Sequence, residues 1–185
     1  MEAAIELAQK KNIDFVETGI KKCVVYLDPS EFKSTWLGNK SVYRTRMAIA
    51  DGGELLVLAP GIERFGEDLQ VDKLIRKYGY KGRLNTLEQF EKPENQNLRD
   101  NMGAAAHLIH GSSDNRFTIT YAVKPENITR EEIEGVGFGY ADYDEMTARY
   151  NPQTLEYGYN TMPDGEEIYF IPNPALGLWI NKEKF

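Results

Sequence analysis

The chain has 185 residues, with 29 acidic against 22 basic, a net charge of −7 and an isoelectric point near 5.0. That length holds one domain with a real core, or one domain and an appendage. The acidic balance excludes a broad nucleic-acid surface, which needs a positive face for phosphates, and no apolar run approaches the ~20 residues of a membrane span.

In chain order, "EAAIELAQKK" reads as a short amphipathic helix, without the basic-then-apolar layout of a signal peptide. "KCVVYLD" is a continuous apolar run ending at Asp28-Pro29, as expected of a strand buried on both faces. Its Cys23 is the single cysteine, so no internal disulfide is possible and the thiol reads as a small core group. These features together point to a reducing, cytoplasmic setting, in which the sequons at Asn39 and Asn127 carry no meaning. "PSEFKSTWLGNKSVYRTRMAIA" predicts a helix of roughly four to six turns, with Pro29 and Ser30 as its start and Glu31 in the first turn. Asp51-Gly52-Gly53 breaks it, and "ELLVLAP" is a second buried strand. Strand, helix, strand is one right-handed crossover of a parallel sheet.

"GEDLQVDKLIRKYG" predicts a helix that stops at Gly79. "NTLEQFEKPENQNLRDNMGAAAHLIHG" predicts a turn near Pro93, then a helix ending at Gly111. "RFTITYAV" alternates and is a third strand. "TREEIEG" carries a capping box, Thr129 with Glu132. "GFGYADY" is a short strand, "DYDEMTARYN" a short helix, and "EEIYFIPN" a last strand after the turn Pro163-Asp164-Gly165. "ALGLWI" is apolar without a clear element type. Alternating strands and helices predict an α/β fold: a three-layer sandwich with a mainly parallel sheet and helices on both faces. We expect an N-terminal helix over 1–15, linker-like in character, and a single α/β domain over 16–185.

Trp36, Lys40 and Tyr43 share one face of the predicted helix. A lysine on an apolar stripe either stretches to water or meets an anion. Arg44 lies one turn after Lys40 and Arg46 follows, so a carboxylate or phosphate between Lys40 and Arg44 would relieve their repulsion. Loops at the carboxyl ends of parallel strands are where such sheets bind ligands, which suits Lys40, early in the helix leaving the first strand.

Other motifs carry less. His107 and His110 sit at i and i+3, a spacing able to share a metal, but no third ligand stands beside them. A position near a helix end explains His110, and no metal site is expected. "GVGFGYAD", Gly135 to Asp142, fails the glycine spacing of a dinucleotide loop and opens no long helix. The runs Glu131-Glu132-Glu134 and Asp142-Asp144-Glu145 read as solvated helix starts. With two histidines on one segment, the chain offers few general bases, so no catalytic residue is assigned and the chain alone is an incomplete enzyme.

"CVVYLDPSEF" followed by "TWLGNKSVYRTRMAIADGGELLVLAPG" resembles the second domain of the lactate racemase family. "AAAHLIHGSS", "FTITYAV", "REEIEGVGFGYADYDEM" and "MPDGEEIYFIPNPALGLW" are similar in order to its later segments. "ADGGELLVLAPG" also resembles relatives labelled as sugar-acid, mannonate-type epimerases or oxidoreductases. The resemblance implies a nickel-pincer nucleotide cofactor held by a separate first domain, and inversion at a carbinol carbon by hydride removal and return. In that family a tyrosine, a glutamine and a lysine face the interdomain cleft. They fall on Trp36, Leu37 and Lys40, so the lysine that holds the substrate carboxylate is kept. The other two differ, which implies a reshaped pocket and a longer 2-hydroxy acid, such as a sugar acid.

The resulting expectation is a substrate-clamping domain of a nickel-pincer racemase or epimerase, with Lys40, Trp36, Leu37 and Arg44 at the substrate. It would work with an N-terminal racemase domain in the same chain or another, and hold no cofactor or metal itself. The alternative is a non-catalytic α/β domain binding a small anion or a protein partner. The last ten or so residues are expected to dock on the missing first domain, or to drive self-association through an exposed "ALGLWI".

Overall fold

The computed structural model describes residues 12–184, so the helix expected over 2–11 lies outside the described residues. Six strands form the main sheet: β2 (Ile20–Tyr26), β3 (Ile49–Leu58), β4 (Thr118–Val123), β5 (Gly139–Asp142), β6 (Gly158–Thr161) and β7 (Glu167–Ile171). Their order is β5-β4-β3-β2-β7-β6, parallel throughout except for the β6–β7 hairpin. β1 (Ile13–Val16) and β8 (Leu178–Asn181) form a separate parallel pair.

Successive residues of the central strands face opposite sides, so two cores form. Cys23, Val25, Leu55, Val57 and Tyr121 pack on one side with the longer helices. Val24, Leu56, Leu58, Ala122 and Phe170 face Tyr150, Met146 and Met162 on the other. The first side carries α1 (Thr35–Gly38), α2 (Lys40–Tyr43), α3 (Leu69–Tyr78), α4 (Arg83–Glu91), α5 (Gln96–Arg99), α6 (Met102–His110) and α7 (Arg130–Gly135). α8 (Tyr143–Arg149) lies against the other. The three-layer α/β sandwich expected from the alternation of strands and helices is thus present. No helix of the described residues is long and apolar enough to cross a membrane.

Three expectations are corrected. First, the long helix over 29–50 is two short ones. Asp28 Oδ1 accepts from Ser30 N (2.7 Å) and Ser30 Oγ (2.6 Å), a side-chain-closed turn that holds the chain out of helix. The helix starts at Ser34, whose hydroxyl caps Leu37 N. Asn39 interrupts it, and by Ile49 the chain has joined β3.

Second, Asp51-Gly52-Gly53 does not separate helix from strand; it is a bulge inside β3. Ile20 pairs with Ile49 and Lys22 with Glu54, so β3 gains extra residues there. Gly52 takes φ +76°, and a Cβ on Gly53 would meet Ala50 O at 2.9 Å.

Third, "ALGLWI" is not an exposed tail. Trp179 and Ile180 are buried, and β8 pairs with β1 while Trp179 N donates to Arg44 O (2.9 Å). Of the side chains expected to drive self-association, Trp179 and Ile180 are spent inside this chain, whereas Leu176 stays exposed. The expected boundary between residues 15 and 16 falls within β1.

Candidate functional site

The first turn of α1 is sewn to the loop that leaves β3. Thr35 N donates to Arg64 O (3.1 Å) and Trp36 N to Phe65 O (2.8 Å), while Leu37 N is capped by Ser34 Oγ (3.3 Å). Those amides, which a helix leaves unpaired, are therefore satisfied by protein and unavailable to an anion. The same pairing fixes the outward residues of α1 and α2 beside the loops at the carboxyl ends of β2 and β3. Trp36, Leu37, Lys40, Tyr43 and Arg44 are half-buried there, while Gly38, Asn39, Ser41 and Val42 point into the core.

Lys40 is the first residue of α2. Its Nζ lies 5.8 Å from the centroid of the Phe32 ring, on the loop leaving β2. No described carboxylate pairs with it: the carboxylates of that rim are engaged elsewhere, Glu63 with Arg64 (2.6 Å) and Glu67 with Arg64 (3.7 Å) and the Ser34 hydroxyl. An ammonium over an aromatic face, half withdrawn from water and without a counter-ion, is a ready acceptor of an anionic group.

Arg44, half-buried like Lys40, is engaged through one of its nitrogens. Arg44 Nη1 donates to Ala175 O (3.1 Å) and Gly177 O (3.0 Å), strapping the segment before β8 onto α2. Arg46 pairs with Asp114 (3.0 Å), pinning the chain after α2 to the loop between α6 and β4.

Behind Trp36 lies a constellation invisible in the sequence. The indole stacks on His107 at 4.3 Å between ring centroids, tilted 33°. His107 Nε2 meets Tyr80 Oη at 2.9 Å, and Tyr80 Oη meets Thr35 Oγ1 at 2.9 Å. Thr35 Oγ1 in turn donates to Phe65 O (3.1 Å). Tyr80 stacks on Phe138, and Phe138 on Tyr121, whose hydroxyl donates to Asn39 Oδ1 (2.7 Å). Burial, with His110 on the same helix, lowers the His107 pKa to about 4, so the imidazole is neutral.

The remaining motifs have structural work. Gly137 adopts φ +93°, and Gly139 lies where a Cβ would press on Thr120 Oγ1 at 2.9 Å, so "GVGFGYAD" inserts Phe138 between two tyrosines. It also borders a hollow of about 540 Å³ at the starting edges of β4 and β5, with Arg116 on its wall. Glu132 completes the capping box of α7 with Thr129, and Asp142 caps α8 through Asp144 N and Glu145 N, as solvated helix starts do. Cys23 is buried within β2, and burial pushes its thiol well up. No group of three metal-binding side chains occurs among the described residues. His107 Nε2 is committed to Tyr80 and Cys23 is sealed in the sheet, so these residues do not fit a nickel-bearing group.

No protein-family model matches the chain, and no curated protein matches it either. Solved structures do. A Thermotoga maritima protein, solved as a Northeast Structural Genomics Consortium target, superposes with a TM-score of 0.69 and 22% identity, over 98% of this chain and 41% of that one. The lactate racemase apoprotein from Thermoanaerobacterium thermosaccharolyticum superposes with a TM-score of 0.60 and 11% identity, over 96% of this chain and 39% of that one. The chain therefore spans about 40% of the length of each neighbour. At these identities the likeness is one of fold: this is a domain with a lactate-racemase-like fold.

Proposed function

We propose that this chain is the substrate-clamping domain of a racemase or epimerase acting on a 2-hydroxy acid. The observation that carries the proposal is Lys40: a half-buried ammonium over Phe32, without a described counter-ion, on the rim where β2 runs into α1. Lys40 holds the carboxylate of the acid, and Trp36 and Leu37 wall the site beside it. Arg44 supports the site by fixing the segment before β8 rather than by touching substrate.

The acid–base and redox chemistry belongs to a companion domain, in the same chain or another, that carries the nickel-pincer nucleotide. The fold likeness supports this division, because the matched lactate racemase chain is more than twice as long as the region matched here. This domain's contribution is orientation. A carboxylate held at one fixed point presents one carbon to the companion, and positioning of that kind is worth several kcal/mol of barrier.

The test is calorimetric titration of the chain with gluconate and lactate at low ionic strength, wild type against Lys40→Ala. Saturable binding by wild type, weakened about tenfold or more in Lys40→Ala, is expected. Equal affinities in the two proteins contradict the proposal. In the assembled enzyme, the same substitution raises KM.

A further inference from the structure

Where β7 ends at Ile171, a hollow of about 250 Å³ opens with Asp14, Tyr157, Ile171, Pro172, Leu176 and Trp179 on its wall. Parallel pairing sets Asp14 of β1 opposite Trp179 of β8, so both side chains leave on the same face. Gly177 lets them meet: a Cβ there would lie 3.0 Å from Asp14 Oδ2 and 2.8 Å from Trp179 Cη2. The carboxylate is therefore held near the benzo edge of the indole. Trp179 Nε1 donates to Tyr157 Oη (3.0 Å), which fixes the tyrosine beside it. Burial raises the pKa of that hydroxyl, and the Asp14 charge raises it further, so carboxylate and phenol stand close together. Asp14 is half-buried, and no described base pairs with it: Arg44 Nη1 donates to Ala175 O and Gly177 O, and Lys182 pairs with Glu17. The rim around it is apolar and open, with Leu176 81% and Tyr157 51% exposed.

A half-buried carboxylate under an apolar rim sorts its ligands by charge and shape. It repels anions. A neutral apolar group would cover the charge and leave it unpaired, which costs free energy. A hard metal ion needs several oxygen ligands, and no group of three metal-binding side chains occurs among the described residues. An organic cation meets both parts of the hollow: its charge pairs with Asp14, and its hydrocarbon stem covers Leu176 and the Tyr157 ring. We propose that this hollow binds an alkylammonium or alkylguanidinium group, with Asp14 as counter-ion and Leu176 and Tyr157 against the stem. The volume admits one such group, whereas pockets for drug-sized ligands start at about 300 Å³. The group belongs either to a free amine or guanidine or to a lysine or arginine side chain of a partner protein. The site stands on its own residues and does not rest on Lys40.

The experiment titrates the chain with n-butylguanidinium, n-butylammonium, uncharged n-butanol and a short blocked arginine peptide, read at the Trp179 indole N–H by NMR. Both butyl cations should shift that signal saturably, and n-butanol should bind about tenfold more weakly. Asp14→Asn keeps the shape of the side chain and removes its charge. It should weaken the cations about tenfold and leave n-butanol unchanged. Leu176→Ser changes an exposed position, so it keeps the test open even if Asp14→Asn does not fold; it should weaken cations and n-butanol alike, by about threefold. Tighter binding of butylguanidinium than of the peptide assigns the site to a free ligand, and the reverse order assigns it to a protein partner; either order upholds a cation site. Equal binding of n-butanol and the cations overturns the proposal. So does cation binding that is unchanged in Asp14→Asn or in Leu176→Ser, or a Trp179 signal that never moves. None of these results bears on the acid titrations of Lys40.

Discussion

Lys40, over the Phe32 ring, and His107, against the Trp36 indole, answer to opposite physics. Lys40 is half-buried, with an aromatic face for company. Removing it should cost the fold little, because no described ion pair is broken: Lys40→Ala should leave the unfolding free energy within about 0.5 kcal/mol of wild type while acid binding falls. His107 gives up its charge. Its folded pKa, about 4, lies below the unfolded value near 6.5, so the unfolded chain binds the proton first as pH falls. The contribution is present above about pH 6.5 and is lost progressively down to about pH 4, amounting to roughly 3 kcal/mol. Urea unfolding at steps between pH 7 and 4.5 should show that decline, and His107→Gln should flatten it. A decline of equal slope in the variant would place the effect elsewhere. The sequence showed Lys40 on its helix face by spacing alone. It could not show Tyr80 or Phe65, because the hydroxyl relay joins residues 27 to 45 positions apart, and nothing in "YGYKG" marks a tyrosine that reaches Thr35.

At the scale of elements, the strands were the readable part. "KCVVYL", "ELLVL" and "FTITYAV" are apolar or β-branched runs whose burial on both faces leaves little choice of conformation. The helix before β3 was misjudged because serine, threonine and asparagine compete for backbone partners. Asp28 closes a turn, Ser34 starts the helix late, and Asn39 breaks it to reach Tyr121. Ser34→Ala should therefore cost about 1 kcal/mol by denaturant unfolding, through the lost cap; an unchanged midpoint would show that the cap contributes nothing. Gly111→Ala is the harsher test. A Cβ there meets the Asn39 amide, and Tyr80 Cε1 at 2.7 Å. We expect a loss of about 1–3 kcal/mol, with the His107 NMR signal displaced, whereas a folded protein of wild-type stability and spectrum would contradict the tight packing.

For the whole molecule, the decisive pairing is between its two ends. β1 and β8 come from opposite ends of the sequence, and no local pattern predicts their register. "ALGLWI" accordingly looked like a free apolar tail, and only the fold shows Trp179 and Ile180 buried against the rest of the chain. Arg44 joins that end to α2 through two carbonyls. Arg44→Ala should thus lower stability by about 1–2 kcal/mol and speed hydrogen exchange at Trp179 and Asn181 before the central strands. Uniform exchange across the sheet would show that the ends are not held this way. The same strap ties the end of α2, next to Lys40, to the segment before β8, and under the proposed function that rim is the seat for an acid. The most direct measurement is the Lys40 ammonium NMR signal during titration with gluconate. We predict a saturable shift of that signal, mirrored at the Trp36 indole and absent from the other lysines. A Lys40 signal that stays still while gluconate binds elsewhere, or does not bind, would contradict the account.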